Sequence, residues 1–258
     1  MILLDGKTLS QKIISDLKSK IENYNSEINL DIILVGNDPS SIKYVELKQR
    51  KAGEVGIGGQ LHHLPDNTSY DDLQKLTSSL NQNTNCTGYF IQLPIPNLSD
   101  PTTILNNILP QKDADGLNPN SGVLPAVVKG IITLLENYQI SFDQKNIVIV
   151  NDSVLIGQPL QKFFGKYTQK ITLLNHLSGD LKPYTLNADI LISATGTKNI
   201  ITADMVKERA VVVDVANGDV DFENVSKKCS YITPTFGGVG PMTVASLLEN
   251  TYLLANKK

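Results

Sequence analysis

Short apolar segments alternate with amphipathic helical segments along most of this chain. The apolar segments are rich in branched and aromatic residues, which predicts buried strands. Apolar residues at helical spacing, such as Ile14, Leu17 and Ile21, predict the helices. We expect strands over residues 30–35, 88–93, 146–150, 171–174, 189–194 and 210–215, and helices over residues 10–24, 39–55, 131–138, 159–166 and 243–255. This alternation predicts βαβ units, and therefore an α/β fold with mostly parallel sheets.

The length of the chain, 258 residues, is enough for one large or two modest domains. Pro, Asn, Ser and Gly collect in residues 117–128, so we expect a domain boundary within that segment. The closing helix is in a position to return to the first domain.

The charges are nearly balanced, with 23 Lys and Arg residues against 26 Asp and Glu residues. This balance argues against binding to nucleic acid or to a membrane surface, because both require a basic face. The N-terminus lacks the pattern of a signal peptide, and no apolar run approaches the ~20 residues of a membrane span. Cys86 and Cys229 have no metal-ligand spacing. We therefore expect a cytoplasmic protein with reduced cysteines and no resident metal.

Three polar residues are candidates for chemistry. Tyr44 and Lys48 are four residues apart on a predicted helix, so they share a face. Such a lysine is usually a solvated charge, and it becomes reactive only where burial and neighbours lower its pKa. Gln92 closes an apolar strand, and ligands bind at the carboxyl ends of strands in open α/β sheets. A loop-capping amide is the commoner role for a glutamine at this place.

Two carboxylates, Asp113 and Asp115, precede Gly116. Metal binding is one interpretation of this spacing, although further acidic ligands at suitable spacing are absent. The other interpretation is a turn that directs one carboxylate at a ligand. The residues alone leave both open.

The segment from Thr233 to Thr243 contains three glycines and two prolines. Glycine lets a backbone approach a ligand closely, and proline fixes the turn that presents it. A tight connection from strand to helix is the alternative explanation.

Four motifs occur in the order that one enzyme family uses. They are Tyr44-Val45-x-x-Lys48, Gln92-Leu93-Pro94-x-Pro96, Lys112-Asp113-x-Asp115-Gly116 and Gly237-Gly238-Val239-Gly240-Pro241-Met242-Thr243. They resemble the motifs of the methylenetetrahydrofolate dehydrogenase/cyclohydrolase family, and the resemblance extends from about Leu3 to the C-terminal helix. It implies two α/β domains. Residues 1–120 with the C-terminal helix 241–258 would bind folate and carry catalysis, and residues 121–240 would form a Rossmann-type doubly wound parallel sheet for a dinucleotide.

The resemblance also implies the chemistry. The family oxidises 5,10-methylenetetrahydrofolate by hydride transfer to a nicotinamide, and it hydrolyses the methenyl product to 10-formyltetrahydrofolate in one-carbon metabolism. Lys48 would be the central catalytic group, with Tyr44 and Gln92 positioning it and Asp115 holding the pterin ring. The implied catalytic residues are Lys48, Tyr44, Gln92 and Asp115, and the implied substrate-binding residues add Leu93, Pro94, Gly238, Val239 and Pro241.

The dinucleotide half departs from the family pattern. The family's Gly-(Arg or Ala)-Ser-x-x-Val-Gly-x-Pro turn is here Asn151-Asp152-Ser153-Val154-Leu155-Ile156-Gly157-Gln158-Pro159. The resemblance implies NADP, but a carboxylate at Asp152 would repel a 2′-phosphate, so NAD stays open. Lys182 or Lys198 could replace a basic contact that is missing beside His176. The implied cofactor-binding residues are Asn151, Asp152, Ser153, Gly157, Gln158, Pro159, His176, Thr195, Gly196, Ala216 and Thr243.

Two alternatives follow from these departures. One is a cyclohydrolase with weakened or lost dehydrogenase activity, because the changes concentrate around the dinucleotide. The other is a non-catalytic folate- or nucleotide-binding relative, against which the retention of Lys48 and its neighbours argues. The resemblance further implies a homodimer that takes tetrahydrofolate derivatives, with neither nucleic acid nor a membrane as partner.

Overall fold

The computed structural model describes residues 1–257, which divide into two compact units. The three-stranded unit comprises Gln11–Ala126 and the chain from Val244 onward. The six-stranded unit comprises Met1–Ser10 and Val127–Thr243. All strand pairs in both sheets are parallel. The predicted α/β class, with a second, doubly wound sheet and a C-terminal helix that joins the first unit, is confirmed.

The three-stranded unit has the strand order β3-β2-β4. Its strands are β2 (Leu30–Val35), β3 (Leu61–Leu64) and β4 (Gly88–Ile91). Its helices are α2 (Pro39–Glu54), α3 (Tyr70–Gln82) and α4 (Thr102–Asn106), with most of α1 (Gly6–Glu22) and the C-terminal part of α9 (Val239–Ala255). Alternate residues of β2 pack with Val45 of α2 and Leu247 of α9 in one apolar core. This core buries one face of α2, and the site described below lies on that face.

The six-stranded unit has the strand order β1-β9-β8-β7-β5-β6. Its strands are β1 (Ile2–Leu3), β5 (Ile147–Val150), β6 (Ile171–Leu174), β7 (Ile190–Ser193), β8 (Val211–Asp214) and β9 (Tyr231–Ile232). Its helices include α5 (Ala126–Asn137), α6 (Gly157–Phe164), α7 (Lys182–Thr185) and α8 (Phe222–Val225), with a 3-10 turn at Ala203–Met205. The chain goes from β5 outward to β6 and then crosses to β7 on the other side of β5. The crevice between the carboxyl ends of β5 and β7 is therefore the topological switch point, where open parallel sheets bind ligands.

Several predicted elements agree closely with the structure. Strand β2 has the predicted bounds, and α2 begins at Pro39 after the N-cap Asp38. The Asp38 carboxylate accepts a hydrogen bond from the Ser41 backbone N–H at 2.7 Å, which satisfies one of the free donors at the helix start. Local capping chemistry therefore fixes the beginning of the helix that carries Tyr44 and Lys48.

Three expectations about boundaries are corrected by the structure. Residues 1–10, which the sequence analysis assigned to the first domain, group with the six-stranded unit because Ile2 and Leu3 pair with β9. The helix α9 begins at Val239 rather than Thr243, so Gly240 and Pro241 lie in its first turn. Proline is tolerated there because the first N–H groups of a helix have no partner within it. Strand β4 ends at Ile91, so Gln92 follows it.

The sequence pattern did not predict the strands β1, β3 and β9 or the helices α3, α4, α7 and α8. Strands β1 and β9 have two residues each, and β3 is an edge strand with half-exposed residues, so none of them presents a continuous apolar run. Among residues 1–257, no helix combines the length and the apolar character that crossing a bilayer requires.

Candidate active site

Lys48 is a buried lysine on the core-facing side of α2, and only 3% of its surface is exposed. Its ammonium Nζ donates a hydrogen bond to Gln92 Oε1 at 3.0 Å. Gln92 follows β4, and its backbone N–H donates to Ile33 O at 2.8 Å, which extends the strand pairing by one residue. The Gln92 amide Nε2 donates to Leu93 O at 2.7 Å, so the amide oxygen faces the lysine. The structure therefore brings together two of the residues that the sequence singled out.

Two aromatic rings flank the same ammonium group. Lys48 Nζ lies 4.5 Å from the ring centroid of Tyr44 and 4.2 Å from that of Phe90. Both distances are within the range of cation–π attraction. Phe90 was missed by the sequence analysis, although its position two residues before Gln92 places both side chains on one side of the strand. The rings exclude water from the lysine while offering it a weak electrostatic partner.

Asp115 is the charged partner of this lysine. Burial lowers the pKa of Lys48, and the negative charge of Asp115 opposes that shift. Burial raises the pKa of Asp115, and the positive charge of Lys48 opposes that shift in turn. Each group thus stabilises the charged form of the other in a place where burial alone would neutralise both. Burial and charge pairing therefore act in opposite directions on the pKa of each group.

The neighbouring carboxylate has a different role. Asp113 is fully buried, and its two oxygens accept the backbone N–H groups of Gly116 at 3.0 Å and Asn118 at 2.8 Å. Burial raises the pKa of Asp113 to about 6. Asp113 therefore organises the turn, while Asp115 remains partly exposed. Among residues 1–257 there is no group of three His, Cys, Asp or Glu side chains that could hold a metal ion.

The loop that carries Asp115 is held from two directions. Asn250 of α9 donates through Nδ2 to Ala114 O at 3.2 Å and to Leu124 O at 2.9 Å. The Lys112 ammonium binds Leu80 O and Asn83 O at the end of α3. Gly116 has φ +72°, and a Cβ there would meet Leu124 O at 2.5 Å, which explains the glycine. Asn250 was missed because only the tertiary fold brings α9 to this loop.

The other expected substrate-binding residues divide between the units. Leu93 and Pro94 follow Gln92 directly in the three-stranded unit. Gly238, Val239 and Pro241 belong to the six-stranded unit, as does Thr243, whose hydroxyl donates to Val239 O at 3.1 Å within α9. Their roles as ligand contacts stay predictions.

In the six-stranded unit, the turn after β5 closes on the side chain of Asn151. Asn151 Oδ1 accepts the Ser153 N–H at 2.9 Å, the Ser153 hydroxyl at 2.7 Å and the Gly157 N–H at 3.2 Å. Asn151 Nδ2 donates to Ala194 O, beyond β7, at 2.8 Å. Gly157 starts α6, and a Cβ on it would meet Asn151 O at 2.0 Å. Gln158 and Pro159 follow in the first turn of α6. Ser153, Gly157 and Pro159, which match the family's turn, thus lie at the switch point.

Asp152, in the turn after β5, brings its carboxylate beside the end of the neighbouring strand β6. Asp152 Oδ2 accepts a hydrogen bond from Asn175 Nδ2 at 2.6 Å, and Asn175 follows the end of β6. An acidic group at the end of this strand normally binds the ribose hydroxyls of NAD. His176 follows Asn175 in the turn after β6.

A cavity of about 370 Å³ opens beyond the carboxyl ends of β7, β8 and β9. Gly196 and Ala216 line it, and so does Lys198. Thr195 is held beside it, because Asp219 Oδ2 accepts the Thr195 N–H at 2.6 Å and the Ser193 hydroxyl at 2.6 Å. Lys182, the other proposed basic contact, is instead paired with Asp204 at 2.6 Å. Asp219 was missed, since it occurs in a short turn without a strand or helix pattern.

These features fit a nicotinamide dinucleotide. The N–H and O–H donors at the start of α6 suit a diphosphate, the pair of Asp152 and Asn175 suits a ribose, and the cavity lies over the second half of the sheet. The fold and the two sites together define a two-domain α/β enzyme that has a dinucleotide-binding unit and a buried lysine in the other unit.

The comparisons with known proteins place the chain in one family. Residues 4–115 match the tetrahydrofolate dehydrogenase/cyclohydrolase catalytic domain, and residues 125–258 match the NAD(P)-binding domain of the same family. The chain belongs to the tetrahydrofolate dehydrogenase/cyclohydrolase family, as its motifs predicted.

Several relatives are similar over their whole length. The bifunctional protein FolD of Nitratiruptor sp. is 41% identical, with 100% of this chain and 99% of the relative covered. That of Methanosarcina barkeri is 42% identical, with 96% and 94% covered. The crystal structure of the bifunctional FolD methylenetetrahydrofolate dehydrogenase/cyclohydrolase from Campylobacter jejuni is 40% identical, with a TM-score of 0.94 and 100% and 99% covered.

Proposed function

We propose that this chain oxidises 5,10-methylenetetrahydrofolate to the methenyl form with a nicotinamide cofactor and hydrolyses the methenyl form to 10-formyltetrahydrofolate. The observation that carries the proposal is the buried Lys48, hydrogen-bonded to Gln92 and electrostatically coupled to Asp115. Burial lowers the pKa of Lys48, and a lysine whose pKa is lowered is suited to proton transfer. Family membership supplies the substrate class.

In the hydrolytic step, a water molecule adds to the methenyl carbon and loses a proton. Burial lowers the pKa of Lys48, which makes its neutral amine available as the acceptor of that proton. A new C–O bond forms, and the ring opens by cleavage of a C–N bond whose nitrogen takes up a proton. Gln92 Oε1 keeps the amine aimed by accepting its hydrogen bond. Tyr44 and Phe90 keep bulk water from Nζ.

Asp115 is proposed to bind the pterin ring. An amino-pyrimidinone edge presents two N–H donors, and one carboxylate accepts both. Asp115 is partly exposed on a loop that Asn250 and Asp113 hold in place, so its oxygens are preorganised. The same negative charge favours the protonated form of Lys48 after it has accepted a proton.

For the oxidation, a nicotinamide cofactor supplies the acceptor of the hydride from the methylene carbon when it is bound. The Ser153 hydroxyl and the N–H groups of Ser153 and Gly157 would hold its diphosphate. The relative from Trypanosoma brucei, 26% identical with a TM-score of 0.94, was crystallised with NADP and an inhibitor. This relative supports a nicotinamide cofactor without deciding between NAD and NADP.

We infer that Asp152 favours NAD over NADP. Its carboxylate accepts a hydrogen bond from Asn175 Nδ2 at 2.6 Å and so lies beside the end of β6, and an acid near the end of this strand would accept a hydrogen bond from a ribose 2′-OH. A 2′-phosphate at the same place would meet a like charge.

Two assays test the proposed function. The first supplies methylenetetrahydrofolate with NAD or NADP and follows methenyl formation. The second supplies methenyltetrahydrofolate without nucleotide and follows its decay against the uncatalysed rate. We expect activity in both. Activity in the second assay alone would indicate a cyclohydrolase without dehydrogenase activity, and inactivity in both would indicate a binding protein.

The resemblance also supports a homodimer of this chain in the cytoplasm. Light scattering coupled to size exclusion measures the molar mass, and we expect twice the 28.2 kDa of one chain. A mass equal to one chain would contradict the dimer.

A further inference from the structure

Asn151 occupies an unusual place in the dinucleotide-binding unit, because its side-chain amide oxygen accepts three hydrogen bonds from the turn after β5. We propose that the Asn151 amide oxygen takes the place of a phosphate oxygen in this turn, so that a dinucleotide binds only by displacing it. Asn151 thereby sets the affinity for the cofactor. The inference rests on the proposed use of a dinucleotide.

Asn151 Oδ1 accepts three hydrogen bonds from the turn. The Ser153 N–H, the Ser153 hydroxyl and the Gly157 N–H converge on this one oxygen at 2.7 to 3.2 Å. Two backbone donors and a hydroxyl at the start of a helix are the groups that bind phosphate oxygens in dinucleotide-binding proteins. Since each N–H has one proton, the same donors cannot serve the amide and a diphosphate fully at the same time.

The amide nitrogen of the same side chain bonds to a different strand end. Asn151 Nδ2 donates to Ala194 O at 2.8 Å, and these residues follow β5 and β7. The side chain therefore bridges the two strand ends that border the switch point. Ligands of parallel sheets enter this crevice, so the bridge lies in their path.

The backbone at position 151 can accept other residues. The backbone φ of Asn151 is not positive, so this position does not require glycine for conformational reasons. Ile156, which precedes α6, provides no side-chain cap, and the Asn151 oxygen caps the helix through Gly157 instead. A glycine at position 151 would keep the backbone path while removing both the cap and the bridge.

Binding of a diphosphate must therefore break three hydrogen bonds within the turn before new ones form. The bonds gained are charge-assisted and stronger than those lost, so binding is favourable but weaker than at a turn with free donors. Asn151→Gly, which removes the side chain, should therefore strengthen dinucleotide binding and lower the stability of the protein without ligand.

The test measures binding of ADP-ribose, NAD and NADP to the full-length protein by calorimetry, together with the melting temperature with and without ligand. For Asn151→Gly we expect an affinity about tenfold higher for all three ligands, a lower melting temperature without ligand and a larger rise on ligand addition. Asn151→Asp keeps an oxygen for the three donors but adds a negative charge, so its affinity should fall by about tenfold or more.

The matched control is Asn146→Gly at the opposite end of β5, where Asn146 Nδ2 donates to Asn187 O at 2.8 Å. It should also lower the melting temperature but leave every affinity unchanged. Unchanged or weaker binding by Asn151→Gly would overturn the inference, since the amide would then be a contact to the ligand or irrelevant to it. Because calorimetry needs no turnover, an inactive protein that binds NAD refutes the proposed dehydrogenase function and leaves this inference standing.

Discussion

The lysine site (Lys48, Tyr44, Phe90, Gln92 and Asp115) and the Asn151 turn (residues 151–157) represent opposite ways of preparing a site. The lysine site places a buried ammonium group near a partly exposed carboxylate, and desolvation works against the charge on each of them. The Asn151 turn contains no charge on its central side chain and satisfies its donors internally.

The difference indicates what each region must give up when a ligand arrives. At the proposed lysine site, a ligand would add partners for Lys48 and Asp115 without breaking hydrogen bonds of the fold, so binding would offset part of the cost of burial. At the Asn151 turn, a ligand competes with bonds that already exist, so binding carries a cost. The first region is organised for chemistry and the second for controlled affinity.

The largest expected effect is on Lys48. Lys48→Met removes the amine while keeping a long apolar side chain, so hydrolysis of methenyltetrahydrofolate should slow by about 10²–10⁴-fold. Stopped-flow absorbance follows the decay. The control is Lys51→Met, because Lys51 lies nearly one turn further along α2 and pairs with Glu54 near the surface. Undiminished hydrolysis by Lys48→Met would contradict the role of Lys48 as the proton acceptor.

Asp115→Asn should have the next largest effect. The loss of a charged acceptor should raise the KM for the folate substrate by about tenfold to a hundredfold. Because the Asp115 charge raises the pKa of Lys48, its removal should lower that pKa and move the acid limb of the kcat profile to lower pH. The exposed Asp71, changed to Asn, serves as the control. An unmoved acid limb would show that the two residues act separately.

The third prediction concerns the contribution of Asp113 to the stability of the same loop. Its folded pKa is about 6, above the ordinary value of 3.8, so the folded state binds the proton more tightly than the unfolded state. The free energy of unfolding therefore decreases as pH rises from about 4 to above 6. Asparagine cannot ionise, so the Asp113→Asn variant does not lose this stability. Between pH 4 and pH 7.5, its free energy of unfolding should rise by about 2 kcal/mol relative to that of the wild type. Urea unfolding at both pH values measures this, and parallel pH profiles would contradict it.

The smallest expected effect is on cofactor choice. Asp152→Arg replaces a repelling charge with an attracting one, so the ratio of NADP to NAD in kcat/KM should rise by about tenfold. The control is Asp143→Arg, which makes the same charge change at an exposed residue before β5. An unchanged ratio would mean that Asp152 does not face the ribose. The result would also sharpen the comparison, because it separates the charge of the turn from its hydrogen bonding.

The sequence predicted these two regions unequally. For the lysine site, the four-residue spacing of Tyr44 and Lys48 and the strand that ends near Gln92 indicated the correct elements, because helix and strand periodicity are local properties. Burial of Lys48, the contact with Phe90 and the support from Asn250 could not be predicted, because α2, β4 and α9 meet only in the fold. For the turn, the substitution at Asn151 was visible, but the four hydrogen bonds of its amide were not.

The sequence by itself determined the α/β class, the start of α2 at its Asp38 cap, most long elements and the family. These depend on residue type, short-range spacing and motif order. Only the tertiary structure decided that residues 1–10 complete the six-stranded sheet, that Asp113 is structural while Asp115 stays available, and that Asn151 bridges the switch point. Such outcomes depend on burial and on hydrogen bonds between residues far apart in the chain, and the free energy of a polar group is set by the partners it finds there.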